Sequence, residues 1–313
     1  NVESGLMTNV VYIMGHGYSG STLLTFLLGT HPRIATIGEL GIAPLTKDKV
    51  GPEEYLCSCK TPIRDCDFWR QVKAEMALRG HDFDIWDADL EFRAPGGGVA
   101  DVLLRAVQRG PVLETARDIG LRVVPRARHE MTRVLSRIES LIESVLKIKG
   151  SSTFLDSSKR PERAIFMRRI PNLDMRVIHL VRDGRAVSWS NIKNLGLSPE
   201  EAARSWVADN TGAEHARRYF PQDRWMTLRY EDLCANPDET LFQIHKFAGL
   251  PVTNGFHYFR NADHHIIGNR MRLSATSEIK LDESWKQALK PEQMTVIEPR
   301  VSELNRRYGY DSP

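Results

Sequence analysis

Apolar residues gather in short runs along this chain, separated by polar or glycine-rich stretches. Asn9-Val-Val-Tyr-Ile-Met14 is β-branched and apolar, and predicts a buried parallel strand. Leu23-Leu-Thr-Phe-Leu-Leu28 predicts an apolar helix that stops near Gly29 and Pro32. Between them lies Gly15-His-Gly-Tyr-Ser-Gly-Ser-Thr22. Residues 34–40 predict a second short strand ending at Gly38-Glu39. Over residues 127–149, Met131, Val134, Leu135, Ile138, Leu141, Ile142, Val145 and Ile148 recur at the steps of one helical face, as on a helix packed against a core. Further strands are expected at 153–156, 176–181 and 225–230, and helices over 185–194, 199–219, 237–248 and 291–308. Residues 44–98 and 254–284 carry no regular period.

Strands alternating with helices predict an α/β fold: a single domain with a central, mainly parallel sheet flanked by helices. Neither an internal repeat nor a linker breaks the pattern, so one domain is expected over residues 7–313. Asn1–Leu6, ahead of Met7, reads as an added leader outside it.

Composition narrows the function. At 313 residues and 41% hydrophobic content the chain can fill a large core, which excludes disorder as its main state. The formal charge of +3 excludes a polybasic nucleic-acid binder and suits one small anionic ligand. An apolar run of about 18 residues is missing, so no membrane span is expected, and without a basic-then-apolar leader a cytoplasmic location is expected. Cys57, Cys59 and Cys66 crowd into ten residues while Cys234 stands apart. Zinc wants four ligands and three cysteines are near, so zinc, a local disulfide and free thiols all stay open and no metal is assigned.

The glycine-rich loop carries the first chemistry. Gly15, Gly17 and Gly20 permit close backbone approach, Ser19, Ser21 and Thr22 add hydroxyl donors, and the following helix points its free N–H groups at the loop. That is an anion site for phosphate or sulfate. The triphosphatase pattern G-x-x-x-x-G-K-[ST] has Ser21 in place of its lysine, which disfavours a P-loop kinase. Gly15, Gly17 and Gly20 also satisfy G-x-G-x-x-G, and a dinucleotide site stands as a minor alternative.

Strand–GHGYSGSTLL–helix resembles the 5′-phosphosulfate loop of sulfotransferases that use 3′-phosphoadenosine-5′-phosphosulfate (PAPS). Val177-Ile-His-Leu-Val-Arg-Asp-Gly-Arg-Ala-Val-Ser-Trp-Ser190 resembles the 3′-phosphate motif of that family, with Arg182 and Ser190 at its two key positions. The Arg-Asp-Gly-Arg-Ala run and Leu228-Arg-Tyr-Glu-Asp-Leu233 are most similar to the tyrosylprotein branch. One departure is Tyr18, where the family usually carries Lys or Arg.

The resemblance implies a P-loop-like sulfotransferase fold and transfer of a sulfuryl group from PAPS to a hydroxyl or amine, leaving 3′-phosphoadenosine-5′-phosphate (PAP), with no metal required. It implies Glu39 as the acceptor's base, with His16 as rival, and Lys159 as the cation on the departing phosphate. Gly17, Tyr18, Ser19, Gly20, Ser21 and Thr22 would hold the 5′ end of the donor. Arg182 and Ser190 would hold its 3′-phosphate, Tyr230 would contact adenine, and Arg270 or Arg272 would close over the 3′-phosphate. Trp285-Lys286 would stack near the adenine. The acceptor could be a small molecule, glycan or peptide; oligomeric state is open. The alternatives are a P-loop-type kinase or a PAPS/PAP-binding module whose catalysis is altered at Tyr18.

Overall fold

The computed structural model describes residues 7–40, 51, 53–105, 110–253, 259, 264–268, 273 and 278–310. Among these residues, five parallel strands form one sheet: β1 (Thr8–Gly15), β2 (Ile34–Gly38), β3 (Thr153–Lys159), β4 (Leu173–Val181) and β5 (Trp225–Arg229), in the order β2-β3-β1-β4-β5. The central strand β1 is apolar on both faces because both are covered. Val10, Tyr12 and Met14 enter the core beneath a long helix, α5 (Pro125–Lys149), while Val11 and Ile13 pack under α1 (Ser21–Leu28). On α5 the face expected from the sequence is the buried one, from Met131 to Val145. A third cluster joins Val181, Val187, Trp206, Ile297 and Val301.

Most expected elements are present within a few residues: α7 (Gly184–Leu195), α8 (Pro199–Arg217), α10 (Pro237–Phe247) and α12 (Pro291–Arg307). Short helices fill the rest: α2 (Asp67–Leu78), α3 (Gly98–Leu104), α4 (Pro111–Val123), α6 (Pro161–Met167), α9 (Tyr230–Ala235) and α11 (Trp285–Ala288). Three differences have local causes. Strand β3 runs three residues beyond Asp156, because the polar run Asp156-Ser-Ser158 is buried and finds partners inside the sheet edge. Tyr230 opens α9 instead of ending β5. Helix α4 buries little of its apolar content: Val112, Leu113, Ile119 and Val123 face outward while Glu114 and Arg117 are buried beside Leu121, so no apolar period announces it. No helix among the described residues is long and apolar enough to cross a membrane.

Candidate active site

In a parallel sheet the carboxyl ends of all strands share one edge, and ligands bind there. Here Glu39 follows β2, Lys159 ends β3, the glycine-rich loop follows β1, Arg182 follows β4 and Tyr230 follows β5. Five segments far apart in sequence thus line one rim in strand order.

The loop owes its shape to two glycines. A Cβ at Gly15 (φ 146°) would lie 2.4 Å from the Leu180 carbonyl oxygen, and one at Gly20 (φ 90°) would lie 2.3 Å from the Tyr230 ring. At Gly17 a Cβ would meet no atom of the described residues within 4 Å, so their packing does not demand this glycine. Gly20 caps α1 with no side-chain hydrogen bond, which leaves the first-turn N–H groups pointing at the loop without a side-chain cap. Ser19 Oγ is buried, with no hydrogen-bond partner among the described residues. A buried hydroxyl and uncapped N–H groups around a glycine turn make a donor set for an anion.

Arg182 ties the two motifs together. One guanidinium nitrogen donates to the Tyr18 carbonyl at 3.0 Å and another to the Asp282 carbonyl at 2.8 Å, while its buried Nε has no partner among the described residues. The guanidinium lies 4.7 Å over the Tyr230 ring. Tyr18 itself sits at φ 62°, a conformation uncommon for a residue with a side chain. Tyr230 is thereby wedged between Gly20 and Arg182, with its hydroxyl donating to the Lys280 carbonyl at 3.3 Å. Burial pushes its phenol up. Its position lets it act as a spacer that fixes the loop. Ser190 Oγ donates to the Ala186 carbonyl within α7 at 3.0 Å.

The start of α7 is built as a rigid base. Asp183 caps it by accepting from the Arg185 N–H, and binds the Arg185 guanidinium as well. Asn305 of α12 accepts from the Gly184 N–H at 2.9 Å and donates to Asp183 at 3.0 Å. Arg185 also lies 4.8 Å over the Trp285 ring, so Trp285 packs on the motif's own arginine.

At the other end of the rim, Lys159 donates to Glu39 in a direct ion pair, and both side chains are about one-fifth exposed. Lys159 holds φ 69°. Beneath them Asp156 accepts from the Ser158 N–H and hydroxyl, and the Ser158 hydroxyl in turn accepts from the Leu40 N–H at 2.9 Å. Burial raises the Asp156 carboxyl's pKa, against the opposing pull of Arg163 and its hydrogen bonds. This buried network fixes the backbone on the far side of Glu39.

His16, the rival base, sits between two side chains. Its Nδ1 pairs with Asp209 and its Nε2 accepts from Asn191 at 2.9 Å, so both ring nitrogens are already engaged. Arg270 and Arg272 lie outside the described residues. The cysteine group gains what its sequence arithmetic lacked: His265 brings its ring nitrogen to Cys57, Cys59 and Cys66, all four ligand atoms lying within 4.8 Å of one another. A residue 199 positions away leaves no spacing signal in the chain.

The fold is that of the sulfotransferases. The sulfotransferase domain from the Synechococcus PCC 7002 olefin synthase aligns with a TM-score of 0.58 at 18% identity, over 99% of this chain and 98% of that domain. The sulfotransferase domain from the curacin biosynthetic pathway aligns at 0.57 and 17% identity, over 98% and 100%. In sequence, residues 121–254 match the model described as the sulfotransferase family. Carbohydrate sulfotransferase 5 of Mus musculus is 32% identical over 106 residues, 26% of this chain and 27% of that protein. Carbohydrate sulfotransferase 3 of Homo sapiens is 26% identical over 164 residues, 45% of this chain and 34% of that protein. The chain thus spans about a third or less of the length of these curated relatives. Fold, family model and relatives point the same way: the chain has the sulfotransferase fold, and its residues 121–254 carry the match to the sulfotransferase family model.

Proposed function

We propose that this chain is a PAPS-dependent sulfotransferase acting on a hydroxyl, with a glycan or small molecule as acceptor. The observation that carries the reading is the Arg182–Tyr18 contact, which joins the two anion motifs on the same rim as the Glu39–Lys159 pair. Carbohydrate sulfotransferases among the curated relatives support a glycan-type acceptor.

PAPS supplies the sulfuryl group and a phosphate as its leaving group. The chain's residues then divide the work. Ser19, Ser21, Thr22 and the N–H groups opening α1 hold the 5′ end. Arg182 and Ser190 hold the 3′-phosphate, with Arg182 Nε, unpartnered among the described residues, as a spare donor. Glu39 takes the acceptor's proton as the new oxygen–sulfur bond forms. Lys159, already beside Glu39, donates toward the oxygen that departs with the phosphate. Since Tyr18 replaces the family's loop cation, Lys159 carries most of that charge.

Thermal shift with PAP, set against ATP plus Mg²⁺, tests the donor site. A ligand at a hundredfold excess over its Kd stabilises the native state by about 2.7 kcal/mol. Stabilisation by PAP alone is expected; stabilisation by ATP plus Mg²⁺ alone would mean a kinase-type site. Incubation with PAPS and a panel of glycans and phenols then reads transfer directly. Binding of PAP with no transfer to any acceptor would favour the altered module.

A further inference from the structure

Cys57, Cys59 and Cys66 come together through three separate devices. Cys57 and Cys59 are the first and third residues of one tight turn, which keeps them close. In it the Lys60 N–H donates to the Cys57 carbonyl at 2.9 Å, and Lys60 takes φ 68°. The chain then returns, with Cys57 N–H donating to the Thr61 carbonyl at 3.0 Å and Leu56 bridging Pro62. Cys66 is the N-cap residue of α2, so its sulfur stands at a helix N-terminus, where a thiolate is favoured.

His265 is held against this knuckle. The Ser58 hydroxyl donates to the His264 carbonyl at 2.7 Å and accepts from the Ile266 N–H at 2.8 Å. The His265 ring stacks on Phe68 of α2, with centroids 4.5 Å apart and planes 7° from parallel. From there Nδ1 lies 3.3 Å from Cys66 Sγ and 3.8 Å from Cys57 Sγ, and Cys59 Sγ lies 3.6 Å from Cys66 Sγ.

A tetrahedron with zinc–sulfur bonds of about 2.3 Å and zinc–nitrogen bonds of about 2.05 Å has sulfur–sulfur edges of about 3.8 Å and sulfur–nitrogen edges of about 3.6 Å. These three separations fall within a few tenths of an ångström of those edges, and all six lie within 4.8 Å. We propose that Cys57, Cys59, Cys66 and the Nδ1 of His265 bind a structural zinc ion.

Four protein ligands close the coordination sphere, so the ion takes no part in the chemistry. Three thiols lose their protons to solvent as it binds, and the Cys₃His site carries one net negative charge. Its position gives it a purpose. Segment 264–268 runs beside β2: the Ile267 N–H donates to the Ile37 carbonyl at 2.9 Å, Gly38 bridges Ile267, and the Gly268 Cα stands beside the Glu39 carboxylate. Among the described residues this segment has no helix or strand of its own. A zinc ion would staple it to the 55–66 knuckle and so hold one wall of the Glu39 site.

The whole chain is expressed in zinc-supplemented medium and purified under reducing conditions without chelator, and its metal is measured by mass spectrometry. About one zinc per chain is expected. Replacement by cobalt(II) should give the intense visible absorption of a tetrahedral thiolate site. Strong chelation should remove the ion and lower the melting temperature, with recovery on zinc addition. Cys66→Ser and His265→Ala should each lose most of the zinc; the cobalt spectrum of the unsubstituted chain decides the matter should either variant fail to fold. Protein that carries no zinc, gives an octahedral cobalt spectrum and melts unchanged with chelator would overturn the proposal, as would a Cys59–Cys66 disulfide in the freshly purified chain.

Discussion

Lys159 and Glu39 meet across the rim of the sheet from strands that are neighbours in space but 120 residues apart in sequence. Lys159 reaches the pair from a left-handed backbone, and Glu39 is fixed there from behind by the Leu40–Ser158–Asp156 network. Side chains held this way need little reorganisation when substrate arrives, which is how a site gains rate from positioning.

Glu39→Gln keeps the shape and removes the proton acceptor. Turnover should fall about 10²–10⁴-fold, the usual worth of a general base. PAP affinity, by calorimetry, should stay within about threefold. Retained turnover would move the base elsewhere, and since both His16 nitrogens are engaged, the search would begin among acceptor-side groups.

Arg182→Ala should weaken PAP binding by about 2–4 kcal/mol, because it strips the donor from a buried, charged contact. Arg182→Lys should recover only part, since a single ammonium cannot span the Tyr18 carbonyl and a phosphate in one plane. Titration calorimetry reads both. Unchanged affinity in the alanine variant would remove Arg182 from the site.

Gly20→Ala tests the wedge. At φ 90° an alanine is strained, and its Cβ would collide with the Tyr230 ring. Strain of this kind costs on the order of 1–3 kcal/mol. The melting temperature should drop and PAP binding should weaken together. Gly17→Ala, with no atom of the described residues within 4 Å of the added Cβ, should leave stability nearly unchanged.

Acid should destabilise the fold through two histidines. Burial pushes the His179 imidazole down to about 4, and burial with the nearby His31 does the same for His245. Between about pH 6.5 and 4 the unfolded chain binds protons on these rings that the native chain refuses, so stability falls as pH falls through that window. From pH 7 to 5 a single such histidine accounts for about 2 kcal/mol. Urea unfolding at the two pH values measures the difference. His179→Gln should flatten the slope, and an unchanged slope would show that His179 titrates normally.

The sequence by itself determined the strands, the long amphipathic helix and the parallel α/β class, and it carries the two motifs read as anion sites. Those features are written locally, as runs of apolar residues and as glycines whose conformations no other residue adopts at ease. It also placed Glu39, Lys159, Arg182 and Tyr230 at strand ends, and in a parallel sheet strand ends share one edge. Tertiary structure decided everything that depends on partners distant in the chain. It paired Lys159 with Glu39, engaged both nitrogens of His16, wedged Tyr230 under Arg182 and carried His265 to the three cysteines. Helix α4 shows the same boundary from the packing side: its buried Glu114 pairs with His215 from another helix, and no hydrophobic period can announce a face whose partner is polar. Local patterns record which residues are buried; which side chains meet is set only when the elements pack.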